Sequence, residues 1–249
     1  MHQPLAGKKC IVTGASRGIG RAVAERLGRD GGSIIVNYAQ NEAEAEAVVA
    51  TIRSAGGQAA AVQADVGRRR GIQRLFDAAD AHFGGIDILV NNAGVALEKR
   101  MPLSEISDAD FDRLFAVNVR GVFMALQQAA QRMADHGRIV NISSTVVPMA
   151  LPGYSVYAAT KAAVDSFTRI LAKELDGRGI TVNAVAPGPV ETDLFNAGKT
   201  AAVKRQMADM CPLHRLGRPE DIARVVAFLA GEEGGWINGQ VLLANGGMI

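Results

Sequence analysis

The sequence has few cysteines, few aromatic residues and almost no excess of either charge. Its two cysteines, Cys10 and Cys211, lie far apart and form no CxxC pair, which excludes a disulfide framework and is typical of a reducing compartment. The 27 Lys and Arg residues nearly balance the 25 Asp and Glu residues, so we do not expect a polyanion-binding face. The one basic cluster, residues 68–70, is interpreted as the exposed start of a helix.

Long hydrophobic runs and metal-ligand spacings are also missing. No run reaches about 18 consecutive apolar residues, and the first residues lack the apolar core of a signal peptide. The four histidines are scattered without the spacing of metal ligands. We therefore expect a soluble, cytoplasmic, metal-free protein with no membrane or nucleic-acid partner.

Short apolar runs alternate with longer helical patterns along the chain. A length of 249 residues with 48% apolar content suits one α/β domain spanning residues 1–249. The apolar runs cover residues 10–13, 33–37, 59–63, 86–91, 138–143, 181–186 and 240–244. The main helical patterns cover residues 20–29, 42–55, 70–83, 108–133, 154–175 and 219–229. This order predicts a Rossmann fold with a seven-stranded, parallel, doubly wound sheet, helices on both faces and a ligand at the carboxyl ends of the strands.

Residues 188–217 interrupt this alternation. They carry prolines, glycines and scattered apolar residues, and they are longer than an ordinary connection in a compact domain. We interpret them as a substrate-binding lid, with a plain pair of surface helices as the alternative.

A glycine-rich turn follows the first strand directly and opens a helix. Glycines permit a tight turn and a close backbone approach to a pyrophosphate, and the free N–H groups of a helix N-terminus favour an anion. No Gly-Lys-Ser/Thr follows, so a P-loop is excluded, although a structural turn without a ligand stays open. The predicted cofactor contacts of this turn are Gly14, Ser16, Arg17, Gly18, Ile19 and Gly20.

The end of the second strand indicates which dinucleotide is bound. Sites for NAD place a carboxylate there, whereas this strand ends in Asn37 and no acid occurs before Glu42. Arg17 can pair with a 2′-phosphate through parallel hydrogen bonds; the alternative is a solvated arginine. Arg17 and Asn37 therefore favour NADP(H) over NAD(H).

Three side chains form a candidate catalytic group. Tyr157 and Lys161 are four residues apart on a predicted helix, which places them on one face. A nearby ammonium lowers the pKa of a phenol, whose reference value is about 10, and makes proton transfer easier. Ser144 follows the fifth strand, where its hydroxyl can bind a substrate oxygen.

These motifs resemble the short-chain dehydrogenases/reductases in their classical, single-domain form, over essentially the whole chain. Three residues separate the tyrosine from the lysine, unlike the six of the enoyl-reductase branch. The residues that carry the resemblance are Thr13-Gly-x3-Gly-x-Gly20, Asn91-Asn92-Ala93-Gly94, Asn118, Ser144, Tyr157-x3-Lys161 and Pro187-Gly188.

The resemblance implies hydride transfer between a nicotinamide and a carbonyl, which interconverts a ketone and a secondary alcohol. Tyr157 would be the general acid or base, and Lys161 would lower its pKa and hold the nicotinamide ribose. Ser144 would orient the carbonyl, and Asn118 would hold a water that links Lys161 to solvent.

The resemblance also implies further cofactor contacts. Asp65 would bind the adenine and Thr192 the carboxamide, whereas Asn91 and Asn118 could instead bridge backbone groups. The remaining implied contacts are Val66, Asn91, Ala93, Gly94, Pro187, Gly188 and Val190.

The substrate is defined less sharply. With Ser144 and Tyr157, the candidate pocket residues are Val146, Met149 and Phe195, near Leu151 and Tyr154. They indicate an apolar ketone or a 3-oxoacyl thioester, because 3-oxoacyl-carrier-protein reductases are closest in character.

Two residues bear on an acidic carrier. Asp135 stands where those reductases often have a basic residue, although Arg178 keeps a basic character nearby.

Other readings stay open. Sugar, steroid or aromatic polyketide-type substrates are alternatives, as is an NADPH sensor without turnover. By resemblance we expect a homo-oligomer, a tetramer or dimer, formed through the helices at 108–133 and 154–175 and through the C-terminal strand and tail.

Overall fold

A computed structural model describes residues 3–249. Seven parallel strands form one sheet in the order β3-β2-β1-β4-β5-β6-β7. The strands are β1 (Lys9–Val12), β2 (Ser33–Tyr38), β3 (Gln58–Gln63), β4 (Ile88–Asn91), β5 (Arg138–Ile142), β6 (Thr181–Pro187) and β7 (Val241–Ala244). The predicted doubly wound sheet is confirmed, with each strand end within about three residues of its predicted position.

Ten α-helices lie in the described part of the chain. They are α1 (Gly18–Arg29), α2 (Glu42–Ser54), α3 (Arg69–Phe83), α4 (Asp108–Phe115), α5 (Val122–Arg132), α6 (Val146–Met149), α7 (Ser155–Glu174), α8 (Asp193–Asn196), α9 (Ala201–Asp209) and α10 (Pro219–Ala230). A 3₁₀ turn spans Leu103–Glu105. The 68–70 cluster forms the exposed start of α3, as predicted.

Strand periodicity divides the core between the two faces of the sheet. In β2, Ile34 and Val36 face a cluster with α1, α2 and α10, whereas Ile35 faces a cluster with α3, α5 and α7. All three side chains are buried. Apolar residues on both strand faces require helices on both sides, so the sheet lies in the middle of the molecule.

The predicted helical segment at 108–133 is helical from residue 108 to 132, but it is not a regular α-helix throughout. A π-helical segment, Ala116–Gly121, separates α4 from α5. This wider turn contains Asn118, which is fully buried and hydrogen-bonds outside the helix to Val95 and Thr160. Such π segments are common at functional sites, and the apolar periodicity of the sequence does not reveal them.

Residues 188–217, here called the lid segment, contain the short helices α8 and α9. A parallel bridge between Val190 and Gly217 joins the two ends of the segment. The segment therefore leaves the sheet after β6 and returns to nearly the same point before α10.

Candidate active site

A cavity of about 890 Å³ opens at the carboxyl ends of the strands. The turns after β1, β2, β4, β5 and β6 line it, together with the start of α7 and the lid segment. This is the position at which doubly wound sheets bind ligands.

The glycine turn after β1 forms one wall of the cavity. Gly14 adopts a φ of +61°, which favours glycine. Gly20 permits close packing, because a Cβ there would lie 2.2 Å from the Gly14 carbonyl oxygen and 2.4 Å from Asn92 Nδ2. The Asn92 amide donates to the carbonyls of Thr13 and Gly14 and ties the turn to the end of β4.

Helix α1 begins at this turn without a side-chain cap. The first N–H groups of a helix have no intrahelical partner, and here they belong to Gly18, Ile19 and Gly20, which line the cavity beside Ser16. Arg17 is exposed at the same place. This cradle of free donors beside a cation fits the phosphate groups of a dinucleotide.

Asn37 lines the cavity, and its side chain is hydrogen-bonded to the backbone of neighbouring segments. Its Oδ1 accepts from the Gly14 N–H at 3.0 Å, and its amide donates to the carbonyls of Tyr38, Val62 and Ala64. The side chain is only 2% exposed. Asn37 therefore joins β2 and β3 to the glycine turn, and its predicted contact with the cofactor stays a prediction.

The residues after Asn37 complete this end of the cavity, although the sequence reasoning did not select them. The position of these residues directly after the predicted second strand could have identified them as part of the site. They are Tyr38, Ala39, Gln40 and Asn41. No carboxylate lies among them, and Glu42 does not line the cavity.

Ser144, Tyr157 and Lys161 meet in the middle of the cavity. Ser144 follows β5, and the other two residues lie on the first turns of α7. Lys161 Nζ donates to the Ile142 carbonyl oxygen at 2.7 Å and lies 5.8 Å from the centre of the Tyr157 ring. The predicted catalytic group is therefore assembled from two elements that are separate in sequence.

Burial shifts the pKa values of Tyr157 and Lys161 in opposite directions. It raises the pKa of Tyr157 to about 12, although a hydrogen bond with Ser144 acts the other way. It lowers the pKa of Lys161 to about 8, against the opposing charge of Asp165. The pKa of Tyr157 is therefore raised, not lowered as the sequence predicted, because desolvation disfavours the phenolate.

Asn118 is buried behind the cavity wall. Its carboxamide exchanges two hydrogen bonds, each 2.8 Å, with the backbone of Val95, and it also donates to Thr160 Oγ1 at 3.1 Å. A Cβ at Gly94 would lie 3.4 Å from Asn118 Oδ1 and 3.6 Å from Lys161 Nζ. The two polar groups thus face the same space beside Gly94.

Asn91 does not line the cavity. Its amide donates to Asn141 Oδ1 at 2.9 Å, and the Asn141 amide donates to Thr168 Oγ1. All three residues are buried. The Asn91 side chain therefore links β4, β5 and α7, and its implied contact with the cofactor stays a prediction.

The other implied cofactor and pocket residues all line the cavity. Asp65 Oδ1 also accepts from the Gly67 N–H, and Thr192 also caps α8. The remaining lining residues from the implied set are Val66, Ala93, Gly94, Pro187, Gly188, Val190, Val146, Met149, Leu151, Tyr154 and Phe195.

Several lining residues were missed by the sequence reasoning. Arg100 comes from the loop after β4, and Met248 comes from the C-terminal tail. Further unselected lining residues are Ala64, Val95, Ala96, Val117, Ile142, Ser143 and Thr145. The predicted lid segment contributes Asp193, Leu194, Lys199, Gln206, Met207 and Met210. Outside that segment no local motif marks these positions, because only the folded chain brings them to the cavity.

Arg178, considered above as a site for an acidic carrier, is already engaged. Its Nε donates to Asp135 Oδ1 at 2.8 Å, and its other nitrogens donate to the carbonyls of Ala130 and Met133. The guanidinium thus holds the turn between α5 and β5, and the carboxylate of Asp135 offsets its charge.

Residues 3–249 contain no group of three or more His, Cys, Asp or Glu side chains placed to hold a metal ion. Within the same range, no helix has the length and apolar character needed to span a bilayer.

Known proteins are similar to this chain over nearly its whole length. Residues 14–249 match a family model described as enoyl-(acyl carrier protein) reductase. A short-chain type dehydrogenase/reductase of Picea abies is 46% identical, in a match that covers 98% of this chain and 93% of the relative. The chain belongs to the short-chain dehydrogenase/reductase family of oxidoreductases.

Two solved structures have the same fold. A short-chain dehydrogenase from Burkholderia cenocepacia, in complex with NADP, is 41% identical with a TM-score of 0.92, covering 98% of this chain and 99% of that chain. The angucycline C-6 ketoreductase LanV, with bound NADP, is 37% identical with a TM-score of 0.92, covering 98% of this chain and 96% of that chain. The fold and family that the sequence predicted are confirmed.

Proposed function

We propose that this chain is an NADPH-dependent reductase that interconverts a ketone and a secondary alcohol. The observation that carries the proposal is that Ser144, Tyr157 and Lys161 line the same cavity as the glycine turn. This continuity allows a dinucleotide held at α1 to extend its nicotinamide to the three side chains. The NADP complexes of the two similar structures support the cofactor assignment.

The cofactor would be held at both ends of the cavity. The free N–H groups of Gly18, Ile19 and Gly20 would bind its pyrophosphate, and Arg17 would bind the 2′-phosphate near residues 37–41, which include no carboxylate. Pro187 to Thr192 would hold the nicotinamide end. When bound, the nicotinamide supplies the hydride that reduces the carbonyl carbon.

Tyr157 and Ser144 would act on the substrate oxygen. Their hydroxyls line the cavity together, so both can donate hydrogen bonds to one carbonyl oxygen. With its pKa raised to about 12, Tyr157 is protonated at neutral pH, and it would transfer this proton to the oxygen during reduction. Lys161 would stabilise the resulting phenolate.

Asn118 and Lys161 would support the return of the proton to Tyr157. Asn118 Oδ1 and Lys161 Nζ face the same space beside Gly94, where a water could contact both. The buried carboxamide of Asn118 is held by Val95 and Thr160, so its position is defined by the fold.

The pocket favours a substrate with a large apolar part. Val146, Met149 and Leu151 lie on one side, and Phe195, Met207 and Met210 of the lid segment complete the lining. The relation to an angucycline ketoreductase supports an aromatic or polyketide-type ketone at least as well as a 3-oxoacyl thioester.

Tyr157→Phe tests the proposal. The variant should bind NADPH within about twofold of the native affinity and lose reductase activity by about 10²–10⁴-fold, since only the general acid is removed. NADPH oxidation would be followed at 340 nm with an acetoacetyl thioester, β-ketoesters, aromatic quinones, aldoses and steroid ketones. Unchanged turnover in the variant would disprove the role of Tyr157. If the native protein binds NADPH tightly but reduces none of these ketones, a sensor is favoured.

A further inference from the structure

Two cationic side chains line the substrate side of the cavity, and the reaction described above uses neither. Arg100 lies in the loop between β4 and α4, and Lys199 lies between α8 and α9 of the lid segment. Both line the same cavity as Ser144 and Tyr157. They therefore bring positive charge from two separate elements to an otherwise mainly apolar pocket.

Aromatic rings position both cations. The Arg100 guanidinium carbon lies 5.2 Å from the centre of the Tyr154 ring, and Lys199 Nζ lies 4.8 Å from the centre of the Phe195 ring. The Tyr154 ring lies 6.5 Å from the Tyr157 ring, so the ring that Arg100 contacts is a neighbour of the proposed general acid. Cation–π contacts of this kind restrict the orientation of the charged group.

The two loops that carry the cations are in contact. A Cβ at Gly198 would lie 3.0 Å from the carbonyl oxygen of Glu98. On its other side, the Arg100 loop is anchored before α7, because the Met101 N–H donates to the Gly153 carbonyl. Arg100 and Lys199 each lie one or two residues from the point where the lid segment meets this loop.

Neither cation forms an ion pair with a carboxylate in the described part of the chain. The neighbouring Lys204 takes part in none of its ion pairs either, although Asp193 also lines the cavity. Burial, and then the charges of Arg100 and Lys204, lower the pKa of Lys199. The cations therefore repel one another, and an anion between them would relieve this repulsion.

We propose that the substrate is a ketone with an apolar body and an oxyanion, and that Arg100 and Lys199 bind this oxyanion. The inference rests on the proposed ketone reduction and specifies its substrate class. Carboxylate and phosphate share the required chemistry, since both accept charge-assisted hydrogen bonds from a guanidinium and an ammonium. Binding would also draw the lid segment toward the loop that carries Arg100.

Matched ketones test this proposal. The probes are 3- and 4-acetylbenzoate, 4-acetylphenyl phosphate and the neutral methyl 4-acetylbenzoate, each assayed with NADPH at low and high salt. We expect kcat/KM for at least one anion to exceed that of the ester by about tenfold or more. This preference should fall as ionic strength rises.

Variants assign the effect to the two cations. Arg100→Gln combined with Lys199→Gln should lower kcat/KM for the preferred anion by about tenfold or more. The same change should alter kcat/KM for the ester, and KM for NADPH, by less than about twofold, because the ester carries no charge for the cations to bind and the cofactor lies elsewhere. Arg205→Gln is the matched control, since Arg205 is exposed on α9 and does not line the cavity.

The outcomes separate this inference from the proposed function. Tyr157-dependent turnover of the ester supports the reductase. The oxyanion site is overturned if no anion is preferred to the ester, or if the double variant loses kcat/KM equally for the anion and the ester. A rise in KM for NADPH in the double variant shows that the two cations bind the cofactor, and this also overturns the oxyanion site. If no probe is reduced, calorimetry measures the affinity of the NADP-loaded protein for the acid and for the ester. Tighter binding of the acid supports the oxyanion site, and equal affinity contradicts it.

Discussion

Tyr157 and Lys161 show how one environment acts on two kinds of titratable group. Each is removed from water, so each is shifted toward its neutral form: the pKa of the phenol is raised to about 12 and that of the ammonium is lowered to about 8. A neutral phenol is the form that an acid catalyst requires for ketone reduction. Of these two groups, Lys161 is the one whose charge changes closer to physiological pH.

The proposed reaction should therefore lose activity at alkaline pH. Lys161 is charged below its pKa of about 8 and neutral above it, and a neutral lysine no longer stabilises the phenolate that Tyr157 leaves after donating its proton. We expect kcat/KM for NADPH, which reports groups of the free enzyme, to be constant below this pH and to fall above it. Lys161→Met should have low activity without this transition, and an unchanged profile in the variant would assign the titration elsewhere.

Arg17 and Asn37 should respond differently to substitution. Arg17→Ala removes an exposed cation from the glycine turn and should raise KM for NADPH by about tenfold or more, with little effect on KM for NADH.

Asn37→Asp should instead destabilise the fold by about 1–3 kcal/mol, because a carboxylate cannot donate to the three carbonyls that the Asn37 amide satisfies. Thermal unfolding and KM for both cofactors measure the two effects; equal increases in KM with Arg17→Ala would place the 2′-phosphate elsewhere.

At the level of elements, the site depends on where helices begin and where they are interrupted. Helix α1 begins at the glycine turn with its N–H groups uncapped, whereas Thr192 and Thr200 cap α8 and α9. The π-helical segment Ala116–Gly121 places Asn118 against the loop after β4. Both features bring polar groups to the site that the hydrogen bonds within a helix do not use.

Gly20→Ala should disrupt the start of α1. The added Cβ would lie 2.2 Å from the Gly14 carbonyl oxygen, so the helix or the turn must move, at a cost of about 1–3 kcal/mol. We expect a lower melting temperature together with weaker NADPH binding. Gly231→Ala is the control, because Gly231 has a φ of −86° and its nearest neighbour would lie 3.4 Å away; equal losses of NADPH binding in both variants would contradict this role for Gly20.

At the level of the whole molecule, large apolar side chains remain exposed on two surfaces. One surface lies on α4, α5 and α7 and includes Phe111, Phe123 and Ile170, which are 43–52% exposed. The other lies near β7, an edge strand, and includes Trp236, which is 99% exposed. Exposed apolar surfaces of this kind are typical of protein–protein contacts, which supports the expected homo-oligomer.

The protein should therefore elute from a sizing column as a dimer or tetramer. Ile170→Glu should shift the elution toward a smaller particle, because a charge at the centre of an apolar contact is costly to bury. The exposed Arg205→Gln change should leave the elution volume unaltered. Native protein that elutes as a 26.1 kDa monomer would reject the expectation.

The sequence alone determined the features that depend on neighbours along the chain. The order of strands and helices follows from local periodicity, and the glycine turn follows from residues 14–20. The spacing of Tyr157 and Lys161 places them on one helix face, because an α-helix turns every 3.6 residues. These features sufficed for the fold and the family, and the resemblance extended them to about half of the cavity lining.

Only the tertiary structure decided the features that depend on contacts between distant segments. Asn37 and Asn91 proved to bond to neighbouring strands, and Asn118 proved to lie in a π-helical turn. The meeting of Arg100 with Lys199, and the direction of the Tyr157 pKa shift, depend on burial and on which loops the fold brings together. Desolvation and long-range hydrogen bonding have no signature in local sequence, because their strength is set by the whole surrounding molecule.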